Sequence, residues 1–157
     1  MTLRICTSAE MTDRERQAFI AFVREGAQVN PATLSDLVDR AIALVTLHDG
    51  PILIGSAAIK TPNAAHREGD FRKAGVLERG SDFPFELGWA RSSREGGGNG
   101  RKLVAAAVRA AGNKSIYATT KTDQMKHILP DYGFVLLGQS FPSVQDPEAK
   151  LSLFVRA

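Results

Sequence analysis

A run of glycines between a strand pattern and a helix pattern constrains this chain more than any other feature. Four of its 14 glycines fall within the five residues 96–100. The segment before them, 85–91, reads FELGWAR and predicts a β-strand. The segment after them, 101–111, reads RKLVAAAVRAA and predicts a helix that Gly112 ends. A glycine loop that leads from a strand into a helix is typical of anion-binding sites.

The same part of the chain carries its excess of positive charge. Residues 91–126 contain eight Lys and Arg residues against two acidic residues, whereas the net charge of the whole chain is only +3. The start of a helix bears a partial positive charge, and glycines let the backbone approach an anion with positive φ. We therefore predict a phosphate site at residues 96–102, to which Arg94, Arg101 and Lys102 add charge.

Other motifs in this region fit less well. Arg101 follows Gly96 by five residues, which breaks the Walker A pattern, and Leu103 stands where the dinucleotide motif needs a third glycine. The three histidines and Cys6 have no zinc-ligand spacing, so we predict no metal and interpret Cys6 as a buried thiol. The histidines are interpreted as surface or unassigned residues, with a role in the site as the alternative for two of them, His66 and His127.

The remaining patterns predict a mixed sheet covered by helices on both faces. A single domain, 1–157, is expected because 43% hydrophobic residues suffice for one core. Its long insertion, 60–84, is polar and has a short helix around 71–74. No apolar run spans a membrane and no signal pattern opens the chain, so we expect a cytoplasmic location. The predicted strands are 3–6, 41–47, 52–59, 85–91, 115–120, 135–137 and 151–155; helices start at Thr12, Asn30, Arg101 and Thr122.

The glycine loop resembles motif A of the GNAT-type N-acetyltransferases, [Q/R]xxGx[G/A], which cradles the pyrophosphate of acetyl-coenzyme A. Gly98 and Gly100 match the motif, while Glu95 stands at its first position with Arg94 one place earlier. A Tyr-Gly-Phe sequence at 132–134 before a strand is similar to the end of the family's domain. The resemblance covers nearly the whole chain. It implies an α/β (α+β) fold with a mostly antiparallel sheet of six to seven strands and a V-shaped split between strands 4 and 5.

This resemblance also implies a function, the direct transfer of an acetyl group from acetyl-CoA to a primary amine. The acceptor is a small-molecule or peptide amine, with no membrane partner, and a homodimer stays open because many family members dimerise. Family members pair the fourth strand's backbone with pantetheine and the loop with pyrophosphate. The implied cofactor-binding residues are Ala90, Arg91, Ser92, Arg94, Gly96, Gly97, Gly98, Asn99, Gly100, Arg101, Lys102, Lys121 and Lys126.

The resemblance implies Glu86, on the fourth strand, as the general base. Tyr132 is the candidate acid, although Leu129 stands at the family's usual tyrosine position. The 60–83 segment is expected to line the acceptor cleft. Two alternatives remain: a catalytically inactive coenzyme A-binding sensor or partner module, which Glu95 and Leu129 favour, and a nucleic-acid binder. The nucleic-acid binder is disfavoured because Tyr117 is the one aromatic residue in 91–126, and such binders stack bases on aromatic side chains.

Overall fold

A computed structural model of the chain describes residues 1–26, 30–144 and 146–157. Its strands are β1 (Thr2–Cys6), β2 (Ala43–Asp49), β3 (Ile52–Lys60), β4 (Phe85–Ser92), β5 (Ile116–Thr120), β6 (Val135–Leu136), β7 (Phe141–Pro142) and β8 (Lys150–Arg156). The helices are α1 (Asp13–Glu25), α2 (Pro31–Arg40), α3 (Ala64–Lys73), α4 (Asn99–Ala111) and α5 (Asp123–Asp131).

The strands follow the order β1-β2-β3-β4-β5-β8-β6, and β7 pairs with β8. β4 and β5 run parallel. The antiparallel pairs are β1–β2, β2–β3, β5–β8, β6–β8 and β7–β8. The mixed, mostly antiparallel sheet is therefore confirmed. The described residues form eight strands rather than six or seven, because two residues in a predicted turn region pair as β7.

The helix starts that were predicted from capping residues are confirmed. The Thr12 hydroxyl accepts a hydrogen bond from the Glu15 amide at 3.1 Å, and the Glu15 carboxylate accepts one from the Thr12 amide at 2.8 Å. Asn30 accepts from the Ala32 amide at 3.0 Å, with Pro31 at the first helical position. These bonds satisfy amides that have no partner within the helix, which is why the local sequence determines both starts.

The chain divides into two compact units, and the first comprises Met1–Thr61 and Leu87–Gly112. In it, Phe19 of α1 and Leu34 of α2 pack with Leu44 and its pairing partner Ala58. Leu103 of α4 lies against Gly55, which pairs with Leu47, three residues after Leu44 on β2. Side chains three residues apart on a strand point to opposite faces. The helices α1 and α2 therefore cover one face of this sheet and α4 covers the other.

The second unit comprises Pro62–Glu86 and Asn113–Ala157. Its core is centred on the fully buried ring of Phe71 in α3. This ring stacks on Phe83 at 6.0 Å between centroids and meets Tyr117 edge-on at 5.2 Å. Aromatic contacts of this kind stabilise a fold beyond the area they bury. Phe71 therefore anchors α3 to the strand that carries Tyr117.

The segment between β3 and β4 differs from the expected polar loop. It forms α3 and a 3-10 helix, Leu77–Asp82, so the predicted short helix at 71–74 was wrong in extent. The start of α3 is capped by Asn63, which accepts from the His66 amide at 2.8 Å. Phe71 is the one buried residue of α3, so no apolar periodicity marked the helix. No helix in the described ranges combines the length and apolarity that crossing a bilayer requires.

Candidate functional site

The glycine loop between β4 and α4 has a left-handed backbone. Gly96, Gly97 and Gly98 have φ values of +80°, +69° and +71°, as the sequence predicted. Gly98 caps α4, which begins at Asn99, two residues before the predicted start. A Cβ at residue 96 or 98 would meet nothing within 4 Å, so the backbone conformation, not crowding, is what calls for glycine here. The amides of the first helical turn have no partner within the helix and can bind an anion.

The charged side chains around this loop differ in their surroundings. Arg94, expected to add charge at the phosphate site, forms an ion pair with Asp49, and this contact lowers the pKa of the Asp49 carboxyl. Arg101 and Lys102 are exposed at the start of α4. Asn99 is buried and donates to the Ser92 hydroxyl at 3.4 Å. The loop therefore offers backbone amides and the cations of the first turn, while Asp49 engages Arg94.

Just before Ala90–Ser92, the backbone of β4 is irregular. Trp89 has a φ of +53°, a conformation that costs a non-glycine residue of order 1–3 kcal/mol and persists where its surroundings hold it. The Ser56 hydroxyl donates to the Trp89 carbonyl at 2.7 Å. The Trp89 ring meets Phe19 edge-on at 6.2 Å, and the Lys60 ammonium lies 4.8 Å from the ring centroid. Nothing in the sequence pattern marked this residue.

The side chain of Arg91 is held by α1. Its guanidinium lies 4.2 Å from the centroid of the Phe22 ring, donates to the Phe22 carbonyl at 2.7 Å, and is 3.7 Å from the Glu25 carboxylate. The role expected for residues 90–92 was a backbone one, pairing with an amide-containing ligand. The side chain of Arg91 is engaged by α1, and the backbone role of residues 90–92 stays a prediction.

The second unit brings three chemically active side chains together, which we call the His66 cluster: His66, Asp70 and Glu86. The Nε2 atom of His66 lies 3.4 Å from Asp70 Oδ2 and 3.6 Å from Glu86 Oε1. The side chains of Glu86, Asp70 and His66 are 7%, 13% and 50% exposed. The imidazole therefore lies at the solvent side of two shielded carboxylates.

Tyr117 completes the surroundings of this cluster. It is the pairing partner of Glu86 in the short parallel ladder between β4 and β5, which consists of Phe85–Ile116 and Glu86–Tyr117. Its phenol is fully buried. Burial raises the pKa of Tyr117 above its ordinary value, the negative charges of Glu86 and Asp70 raise it further, and Arg67 opposes them. Tyr117 therefore stays protonated beside the carboxylates.

The other predicted residues of this unit lie on or after β5 and α5. Lys121 is half-buried, and the Lys126 ammonium donates to the Lys150 carbonyl at 3.4 Å. Tyr132 caps the C-terminus of α5 and is half-buried, and its carbonyl accepts from Arg156 at 3.0 Å. The structure thus places the glycine loop with residues 90–102 in the first unit. Glu86, Lys121, Lys126 and Tyr132 belong to the second.

Sequence reasoning singled out Glu86 and gave His66 a role in the site as an alternative, but it singled out neither Asp70 nor Tyr117 for the site. His66 and Asp70 are four residues apart, which puts them on one face of a helix, but the helix itself was not predicted there. Asn63, a good capping residue, was the available signal. Tyr117 could be joined to Glu86 only through the register of β4 with β5, which no local pattern encodes.

Comparisons by sequence find no relative: no protein-family profile and no curated protein matches the chain. Solved structures do match. An acyl-CoA N-acyltransferase from Pseudomonas aeruginosa has a TM-score of 0.72 at 16% identity, with 100% of both chains covered. FeeM, an N-acyl amino acid synthase from uncultured soil microbes, matches with a TM-score of 0.72 at 14% sequence identity. The match covers 99% of this chain and 89% of the FeeM chain.

A third match is yncA from Salmonella typhimurium, whose structure contains its cofactor acetyl-CoA. Its TM-score is 0.62 at 15% identity, with 98% of this chain and 91% of that chain covered. With the parallel β4–β5 pair and the loop before α4, these matches define the class: the chain has the fold of the GNAT-family acyltransferases. At these identities the likeness establishes the fold, so the activity has to be argued from the residues.

Proposed function

We propose that this chain is an acetyl-CoA-dependent N-acetyltransferase that acylates a primary amine. The observation that carries the proposal is the left-handed glycine loop at the start of α4 in a GNAT fold. This loop can present backbone amides to a pyrophosphate, the anionic group of coenzyme A. A structural neighbour with acetyl-CoA as its cofactor supports the choice of donor.

In this proposal, residues 90–102 bind the donor. The amides of the glycine loop and the first turn of α4 hold the pyrophosphate, and Lys102 adds charge from solvent. The backbone of Ala90–Ser92 pairs with pantetheine. Because Arg94 is already paired with Asp49, its replacement is expected to act mainly through the shape of the loop.

Glu86 is the proposed general base. The neutral amine attacks the thioester carbonyl, and its nitrogen gives a proton to the Glu86 carboxylate as the C–N bond forms. The C–S bond then breaks, and the thiolate leaves and takes a proton from an acid, for which Tyr132 is the candidate. Burial of Glu86 supports the assignment, because a carboxylate removed from water is a stronger base.

Two measurements test the proposal. Acetyl-CoA is expected to raise the melting temperature of the chain, and a panel of amines is expected to release free thiol from acetyl-CoA.

Glu86→Gln should lower kcat by about 10²- to 10⁴-fold, the usual contribution of a general base, while leaving acetyl-CoA affinity unchanged. Glu68→Gln, an exposed carboxylate on α3, is the matched control and should retain full turnover. Full turnover in Glu86→Gln would remove the base assignment.

A second candidate is a coenzyme A-binding sensor or partner module without catalysis. Glu95 at the first motif position and the fully buried Leu129 at the family's tyrosine position favour it. Stabilisation by acetyl-CoA with no thiol release from any amine would support this candidate. No stabilisation by acetyl-CoA would contradict both.

A further inference from the structure

The His66 cluster has the composition of a metal site. It offers one imidazole nitrogen and two carboxylate oxygens, and these three atoms lie within 4.8 Å of one another. Among the residues that the structure describes, it is the only such group of three His, Cys, Asp or Glu side chains. We propose that His66, Asp70 and Glu86 bind one divalent transition-metal ion of the zinc type.

The distances fit such an ion. Ligands about 2.1 Å from a tetrahedral zinc ion lie about 3.4 Å from one another. The His66–Asp70 distance of 3.4 Å and the His66–Glu86 distance of 3.6 Å already match two edges of that tetrahedron. The remaining distance, between the two carboxylate oxygens, is at most 4.8 Å, and the terminal torsion of a carboxylate has a broad range through which it can be adjusted.

Charge favours the same ion. Glu86 and Asp70 bring two negative charges into a largely shielded place, where Arg67 is the nearby cation on α3. A divalent cation balances two carboxylates, and imidazole with carboxylate ligands suits zinc and its neighbours better than Mg²⁺ or Ca²⁺. Half-exposed His66 gives the ion a path from solvent.

Tyr117 gives an independent sign that a ligand belongs here. Its hydroxyl is fully buried beside the two carboxylates, and its contact with Glu86 falls short of good hydrogen-bond geometry. Buried hydroxyls ordinarily have a partner in the protein or an ordered water. A three-ligand zinc site carries a water at its fourth position, which is a partner of the required kind.

The sequence predicted no metal because metal motifs are recognised by close spacing. His66 and Asp70 have helical spacing, but Glu86 lies 20 residues after His66 and belongs to a different element. The group forms only through the packing of α3 beside the first residues of β4.

The test is zinc binding by the tag-free, EDTA-treated full chain, measured by calorimetry without acetyl-CoA or amine. One Zn²⁺ per chain is expected. His66→Gln should weaken binding at least about tenfold, since even loss of an outer-shell partner costs 10- to 100-fold. The matched control is His127→Gln, because His127 follows Asp123 on α5 with the same four-residue spacing and belongs to no such group of three. It should bind Zn²⁺ like the wild type.

A second readout uses the folded wild-type chain, so a variant that fails to fold leaves the question answerable. The chain has three histidines, and Zn²⁺ should shift the imidazole NMR signals of one of them. His48→Gln and His127→Gln assign that signal to His66 by elimination. Absence of saturable binding, or binding that shifts His48 or His127 instead, overturns the proposal. Since no substrate is present, either result is independent of whether the chain is an acetyltransferase.

Discussion

Gly98 and Gly69 form a matched pair that tests whether backbone conformation explains the glycine loop. A Cβ at either position would meet nothing within 4 Å, so an alanine fits both sites sterically. They differ in φ, because Gly98 is left-handed at +71° whereas Gly69 lies inside α3 without a positive φ. The two Gly→Ala substitutions therefore separate conformational strain from crowding.

The two substitutions are expected to change the free energy of unfolding in opposite directions. Alanine in the left-handed region costs about 1–2 kcal/mol, and the lower entropy of its unfolded chain returns about 0.4–1 kcal/mol. Gly98→Ala should therefore lower the free energy of unfolding by roughly 1 kcal/mol. Gly69→Ala should raise it by about 0.5–1 kcal/mol, the difference between the two residues inside a helix.

Urea unfolding followed by circular dichroism measures both free energies on the purified chain. In a chain of this size a change of 1 kcal/mol moves the melting temperature by about 2–4 °C, so the variants should melt on opposite sides of the wild type. Gly98→Ala should also weaken acetyl-CoA binding, because strain displaces amides proposed to bind pyrophosphate. If Gly98→Ala is as stable as Gly69→Ala, the loop does not require glycine for its conformation.

Three further outcomes can be measured on the same chain. Phe71→Ala removes a fully buried ring and should cost about 3–5 kcal/mol in urea unfolding; a loss below 1 kcal/mol would mean that α3 is not anchored by this ring. Thr12→Ala deletes an N-cap and should cost about 1 kcal/mol, with Thr12→Ser retaining most of the stability. Hydrogen bonds, first from Arg16 and then from Ser8, lower the pKa of the Asp39 carboxyl. The ionised carboxylate therefore stabilises the folded state, and this stabilisation is lost as the pH falls through the lowered pKa. Asp39→Asn should accordingly shrink the drop in urea midpoint between about pH 6 and about pH 3, and an unchanged drop would show that this pair contributes nothing to acid sensitivity.

Features that a short stretch of sequence determines were predictable. Thr12 with Glu15, and Asn30 with Pro31, satisfy the free amides of a helix start through neighbours three residues away or fewer. The glycines at 96–98 likewise adopt the backbone region that few other residues tolerate. In each case the physical cause and the residues that produce it are adjacent in the chain, so no tertiary information was needed.

Features that depend on tertiary contacts were not predictable. α3 has one buried residue, Phe71, and its stability comes from that ring's contacts with Phe83 and Tyr117 rather than from an apolar stripe. Trp89 adopts a positive φ that its own sequence disfavours, held by a hydrogen bond from Ser56. A single sequence reports local preference, and at both places distant contacts override it.

At the candidate catalytic centre, too, the sequence identified a residue but not the contacts that surround it. Glu86 was identifiable through the family resemblance, which implies a catalytic glutamate on the fourth strand, and the structure buries its side chain. The chemical role of a buried carboxylate depends on its neighbours. Here they are positioned by the contact of Phe71 in α3 with Tyr117 and by the pairing of β4 with β5. His66 and Asp70 give Glu86 an acidic, imidazole-bearing environment, in which a proton and the proposed metal ion would compete for the same oxygen atoms. The burial that would make Glu86 an effective base therefore also makes it a good metal ligand, and the two proposed roles exclude each other at any one moment.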